Sequence, residues 1–129
     1  TKIETYKDFQ QKIDLISNTF FNFLKSEKKN GKKIVAYGAA AKGNTLINYL
    51  NIKDDLIKFV CDAAKSKQNK FLPGSKIPIV HPDLISVEKP DFVVIFPWNI
   101  SDEIINQLSF IREWNGKFVT AIPDLKVIS

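Results

Sequence analysis

Five short runs of almost continuously apolar, β-favouring residues follow Gly31: "KIVAYG", "LIKFVCD", "IPIV", "DFVVIFP" and "KFVTAIP". Between them lie the helix-patterned stretches "GNTLINYL", "HPDLISV" and "ISDEIINQLSFIREW". A strand with one face in water alternates polar and apolar residues, whereas a strand covered on both faces is apolar throughout. Parallel pairing also needs connections long enough for a crossover helix, and these are. The order predicts an α/β fold, a doubly wound sheet of about five parallel strands with flanking helices and the 34–37 strand inside it.

Ahead of this core, Tyr6, Phe9, Ile13, Ile16, Phe20 and Phe23 recur at spacings of three and four, which places them on one stripe of an amphipathic helix. The stripe is expected to pack on the sheet, or in part on a preceding domain. The charged run "KSEKKNGKK" at 25–33 then reads as a solvated connector. With 129 residues, 44% of them hydrophobic, the chain can enclose one core. Residues 1–129 are therefore read as a single domain, with helix and basic connector at 1–30 and the α/β core at 31–129. The opening Thr1 suggests a piece of a longer protein.

Nineteen Lys and Arg against 14 Asp and Glu leave a formal charge of +5. That favours anionic partners without the dense basic face of a nucleic-acid binder, so no nucleic-acid partner is expected. No run approaches the apolar length of a membrane span and no signal peptide is visible, so no membrane partner is expected either. Cys61 is the only cysteine and lies in an apolar run, which reads as a buried thiol in a reducing, cytoplasmic setting. His81 is the only histidine and precedes Pro82 at a helix start, where it reads as structural. No metal set and no complete catalytic constellation can be assembled.

In an open parallel sheet, ligands bind beyond the carboxyl ends of the strands, where the strand order reverses. One such end is "YGAAAKGNT", residues 37–45. Set against the dinucleotide fingerprint G-x-G-x-x-G, it places Gly38 and Gly43 in the first and third positions and Ala40 in the second. Gly38 permits the tight turn, Gly43 permits close packing of the helix, and free backbone N–H groups there face an anion. A methyl group at Ala40 pushes a ligand outward, to where the mobile charge of Lys42 can meet a phosphate. Spacing alone is equally compatible with a turn that binds nothing. Asp62 ends the second strand, where an acidic residue reads a ribose hydroxyl in dinucleotide folds. The loop after it, "AAKSKQNKFLPGSK", combines four lysines with an apolar patch and reads as a nucleotide clasp or a solvated loop. Trp98, at the mouth of the sheet, can cover a sugar or base, and Asn99 reads most simply as a helix N-cap. Trp114, near the end of the following helix, reads as core.

Four of these segments in this order, Tyr37 to Thr45, Phe71-Leu72-Pro73-Gly74 with Ile77-Pro78-Ile79, Pro97-Trp98-Asn99, and Ile111-Arg112-Glu113-Trp114, resemble the C-terminal domain of the sugar C-methyltransferases. The resemblance covers nearly the whole chain. It implies a Rossmann-like domain that binds a nucleotide diphosphate sugar and belongs to a SAM-dependent enzyme that methylates a carbon of a nucleotide-linked ketodeoxysugar. In that family Ala40 is part of the normal turn. By the resemblance, Gly38, Ala39, Ala40, Lys42, Gly43 and Asn44 hold the diphosphate side and Trp98 and Asn99 border the same crevice; Tyr37, Asp62 and Pro97, at the same strand ends, complete the candidate substrate-binding set. The resemblance also implies upstream zinc-binding and S-adenosylmethionine domains, the latter carrying the general base. This chain would then bind no cofactor, hold no catalytic residue and not catalyse by itself.

Two other readings use the same fold. One is a nicotinamide-dependent oxidoreductase domain, against which stand Ala40 and the lack of a Tyr or His acid–base pair. The other is a non-catalytic module that senses sugar nucleotides.

Overall fold

A computed structural model describes residues 2–122 and 124–129; for Lys2, Ile3, Glu4, Tyr6 and Phe9 it describes the backbone alone. The sheet is built on β1 (Ile34–Tyr37) and β5 (Phe92–Ile95), which pair in parallel from Ile34↔Phe92 to Tyr37↔Ile95. Because side chains alternate along a strand, Ile34 and Ala36 enter one hydrophobic cluster with Phe92, Val94 and Phe96. Val35 enters a second cluster on the opposite face, with Val93 and Ile95. Both faces are covered, which is why these runs carry no polar alternation.

Outward from β1 lie β2 (Val60–Cys61), β4 (Pro78–Val80) and β3 (Lys70–Phe71); outward from β5 lie β6 (Lys117–Thr120) and β7 (Lys126–Ile128). The order is thus β3-β4-β2-β1-β5-β6-β7. The five strands from β4 to β6 are parallel, as expected, and the two edge strands pair antiparallel with β4 and β6. Neither edge strand shows in the sequence pattern. β3 is two exposed residues in a lysine-rich loop, and β7 is three residues without a full polar–apolar period.

Two helices cover one face: α1 (Lys2–Lys29) through Phe20 and Leu24, and α2 (Ala41–Tyr49) through Ile47. The other face is covered by α3 (Leu84–Glu88) through Ile85, α4 (Ser101–Gln107) through Ile104 and Ile105, and a 3₁₀ turn at Ser109–Trp114 through Ile111. The chain is therefore doubly wound. Strand order reverses between β1 and β5, and the gap between their carboxyl ends is where this topology leaves room for a ligand.

The stripe on α1 is buried only in its second half. Phe20 and Leu24 are fully enclosed and the Phe23 ring packs edge-on against Phe92 at 5.2 Å, whereas Ile16 is half-buried and Ile13 is 37% exposed. Length explains this, because 28 helical residues run about 42 Å while strands of four residues are only about 13 Å long. The helix outruns the sheet. Its outer half is tied to α2 through Asp14, which accepts hydrogen bonds from the Tyr49 hydroxyl at 2.9 Å and from Gln10 at 3.0 Å. The stripe positions Tyr6 and Phe9 lie outside the described side chains.

On the opposite face, regular helix stops at Gln107, and Trp114 sits half-buried at the core margin. Its indole N–H donates to the Pro90 carbonyl at 2.9 Å, and its ring meets Phe110 edge-on.

Candidate functional site

β1 ends in a turn whose geometry is fixed from three sides. Gly38 has φ +94°, and a Cβ there would stand 2.5 Å from the ring of Pro97, so the turn needs glycine both for its backbone angle and for close approach to the end of β5. The Gly38 N–H donates to the Cys61 carbonyl at 2.7 Å. Gly43 has no unusual backbone angle. What it supplies is space, since a Cβ there would lie 2.5 Å from Cγ of Phe96, which is 5% exposed.

The third brace is Asp62. One carboxylate oxygen accepts from the Ala39 N–H and the other from the Ala64 N–H, both at 2.9 Å, while the Asp62 carbonyl accepts from Gln68 at 2.8 Å. Lys67 leans over the same turn, donating to the Ala39 carbonyl at 3.1 Å with its ammonium 3.8 Å from Asp62. The carboxylate that a dinucleotide fold turns toward a ribose is here engaged in holding the turn.

So braced, the turn delivers α2 with Ala40 as an extended N-cap that makes no side-chain capping bond. The first helical bond runs from the Asn44 N–H to the Ala40 carbonyl at 3.0 Å. The N–H groups of Ala41, Lys42 and Gly43 therefore have no acceptor within the helix and form the positive end of its dipole. The side-chain oxygen of Asn44 is buried and has no hydrogen-bond partner.

Across from this helix start, the chain leaves β5 through Phe96 and Pro97 into a 3₁₀ turn at Trp98–Ile100. Ala40, Ala41, Lys42, Phe96, Pro97, Trp98 and Asn99 line an open cleft of about 360 Å³ between the two. The Lys42 ammonium lies over the Trp98 ring, 5.2 Å from its centroid, and no carboxylate among the described residues pairs with it. Asn99 is exposed and does not cap α4, whose N-cap is Ile100 with no side-chain bond. The intervening 3₁₀ turn shifts the cap past it.

Of the residues singled out in the sequence, Ala40, Lys42, Pro97, Trp98 and Asn99 meet around this cleft, while Gly38, Ala39, Gly43 and Asp62 shape the turn beneath it. Tyr37 packs its ring at the margin of the other face, where burial first, then Asp62 and Cys61, push its hydroxyl pKa above the ordinary value. Burial and the neighbouring Asp62 push the Cys61 thiol up to about 12. The segment Phe71-Leu72-Pro73-Gly74 docks on α2, with Asn48 donating to the Pro73 carbonyl at 3.0 Å, and takes no part in lining the cleft. His81 precedes α3, its Nδ1 accepting from the Asp83 N–H at 3.0 Å. Sequence reasoning missed Phe96 and Ala41 as lining residues, and Lys67 and Gln68 as braces. Only Lys67 carried a signal, as a cation in the loop after Asp62.

Fold and cleft together define a Rossmann-like domain with a helix amino end, a lysine and an aromatic side chain meeting at its topological switch point. The chain belongs to the C-methyltransferase C-terminal domain family, whose model matches residues 1–123. It is 32% identical over 124 residues to the C-methyltransferase NovU of Streptomyces niveus, covering 96% of this chain and 30% of that protein. The chain thus spans less than a third of that relative. Among solved structures it is similar to a UDP-D-quinovosamine 4-dehydrogenase from Vibrio fischeri, with a TM-score of 0.52 and 20% identity over 76% of this chain and 93% of the other. That likeness is one of fold. No described helix is long and apolar enough to cross a membrane.

Proposed function

We propose that this chain is the substrate-positioning part of a sugar C-methyltransferase and that its cleft binds the diphosphate of a nucleotide-linked ketodeoxysugar. The observation that carries the reading is the convergence, at the β1/β5 switch point, of unbonded α2 N–H groups, the Lys42 ammonium and the Trp98 ring. Helix N-terminal N–H groups favour oxyanions, and a lysine adds a compact charge to a phosphate that Ala40 keeps from approaching more closely. Relatedness to NovU supplies the reaction class, methyl transfer to carbon.

The methyl donor of such enzymes, S-adenosylmethionine, is a sulfonium cation. It suits this cleft poorly, because the Lys42 ammonium in its lining and the positive end of α2 both repel a positive centre. Donor binding and proton abstraction then belong to other parts of the longer protein. A nicotinamide cofactor is disfavoured because Ala40 stands where the dinucleotide fingerprint has the glycine that lets backbone approach a pyrophosphate, and the Asp62 carboxylate is turned toward the backbone of the turn.

Calorimetric titration tests the reading. A nucleoside diphosphate should bind measurably, while S-adenosylmethionine and NAD(H) should give little heat. Lys42→Ala should weaken diphosphate binding by about 1.5–3 kcal/mol with an unchanged melting temperature, most clearly in low salt. Tight NAD(H) binding without any response to a nucleoside diphosphate would transfer the chain to the oxidoreductase reading.

A further inference from the structure

We propose that Trp98 selects the sugar: its indole face, now covered by the Lys42 ammonium, becomes the platform for the pyranose ring esterified to the diphosphate. The inference rests on the diphosphate reading above and assigns the neighbouring subsite. Lys42 stands 5.2 Å from the centre of the Trp98 ring, a cation–π contact between half-solvated partners and so a weak one. A phosphate offers that ammonium a charge-assisted hydrogen bond, which is stronger. Diphosphate binding therefore draws Lys42 off the ring and uncovers an apolar face at the lip of the cleft.

What meets that face is set by connectivity. A phosphate held by Lys42 brings the group bonded directly to it against the indole, and in a nucleotide sugar that group is a saturated ring, ribose on one phosphate and hexose on the other. The base is one ring farther away. A deoxysugar turns C–H bonds and a methyl group toward such a surface in place of hydroxyls, and an apolar face carrying no hydrogen-bond partner suits it. Between the two rings the deoxyhexose suits the indole better, since ribose presents two hydroxyls where the deoxysugar presents C–H surface, and Trp98 is held in place for it by a 3₁₀ turn whose Ile100 N–H donates to the Pro97 carbonyl at 3.1 Å. Trp98 and Phe96 both line the cleft, the first half-buried and the second 5% exposed.

The test measures two affinities for each protein, for a nucleoside diphosphate and for the same nucleotide carrying a deoxyhexose, in wild type, Trp98→Ala, Trp98→Phe and Lys42→Ala. Wild type is expected to prefer the sugar-bearing ligand by about three- to tenfold. Trp98→Ala should abolish the preference, weakening the sugar-bearing ligand about three- to tenfold more than the nucleoside diphosphate, and Trp98→Phe, which keeps an aromatic face in a lighter side chain, should retain most of it. Lys42→Ala should weaken both ligands together. Equal weakening of both ligands in Trp98→Ala would place the ring under the ribose and overturn the assignment. So would an unaltered preference in that variant, or a wild type that binds the diphosphate without preferring the sugar, and both of these leave the diphosphate site standing. Failure of wild type to bind any nucleoside diphosphate overturns this assignment and the diphosphate reading together.

Discussion

Replacing Gly43 with alanine sets two well-measured effects against each other. In the first turn of α2 the exchange should help by at most the roughly 1 kcal/mol by which alanine is favoured over glycine in a helix interior. No positive φ opposes it. The structure opposes it sterically: the added Cβ would lie 2.5 Å from Cγ, 2.8 Å from Cβ and 2.8 Å from Cδ2 of Phe96. Those atoms cannot retreat easily, since Phe96 is 5% exposed and its N–H donates to the Tyr37 carbonyl at 3.2 Å, which ties it to the end of β1. Forcing one methyl group into a packed core costs about 1–3 kcal/mol, and three contacts of 2.5–2.8 Å place this site in the upper half of that range, so the clash outweighs propensity and Gly43→Ala should lose about 1–2 kcal/mol net. Gly43→Val should lose more. In a chain of this size the alanine variant should melt about 3–8 °C below wild type. Thermal unfolding followed by circular dichroism is the assay, and Phe96→Leu in the Gly43→Ala background should show favourable coupling in a double-mutant cycle. A Gly43→Ala protein that melts above wild type would refute the reasoning, because helix propensity would then be the larger effect and the helix–sheet contact looser than described.

Asp62→Ala removes the acceptor of two buried-side backbone N–H groups, so urea unfolding should show a loss of about 2–4 kcal/mol with an unchanged slope, and Asp62→Asn should recover part of it. Cys61 should resist alkylation in the folded protein at pH 8 and react fully in denaturant, because burial pushes its thiol up to about 12. The sign for stability follows: between the ordinary thiol value of about 8.5 and about 12, the unfolded chain releases a proton that the folded chain keeps. Stability should fall with rising pH in that window, and Cys61→Ala should flatten the fall in a series of urea titrations.

The legible part of the fold was the part governed by burial on both faces. β1 and β5 announced themselves as "IVAY" and "FVVI" because every residue in them lies against a covered face. β3 and β7 stayed hidden because edge strands of two or three residues, paired on one side, carry too few positions for a period to form. The α1 stripe was over-read at Ile13, since periodicity reports which residues share a face and not how far the partner surface extends. In the cleft, glycine spacing marked Gly38 and Gly43, but the partners that make them necessary, Pro97 and Phe96, stand more than fifty residues away. Asp62 was placed correctly at a strand end, and only the three-dimensional turn shows which N–H groups occupy it. The family was legible because four motifs recur in order, a signal that depends on no single contact.

A two-dimensional amide spectrum recorded during titration with a nucleoside diphosphate locates the bound anion directly. Shifts should concentrate on the amides of Ala39 to Asn44 and on the indole N–H of Trp98, with Trp114, which is bonded to Pro90, unmoved. Shifts confined instead to the lysine-lined hollow around Lys28, Lys32 and Lys58, or no shift at all at millimolar ligand, would contradict the assignment of the β1/β5 cleft as the diphosphate site.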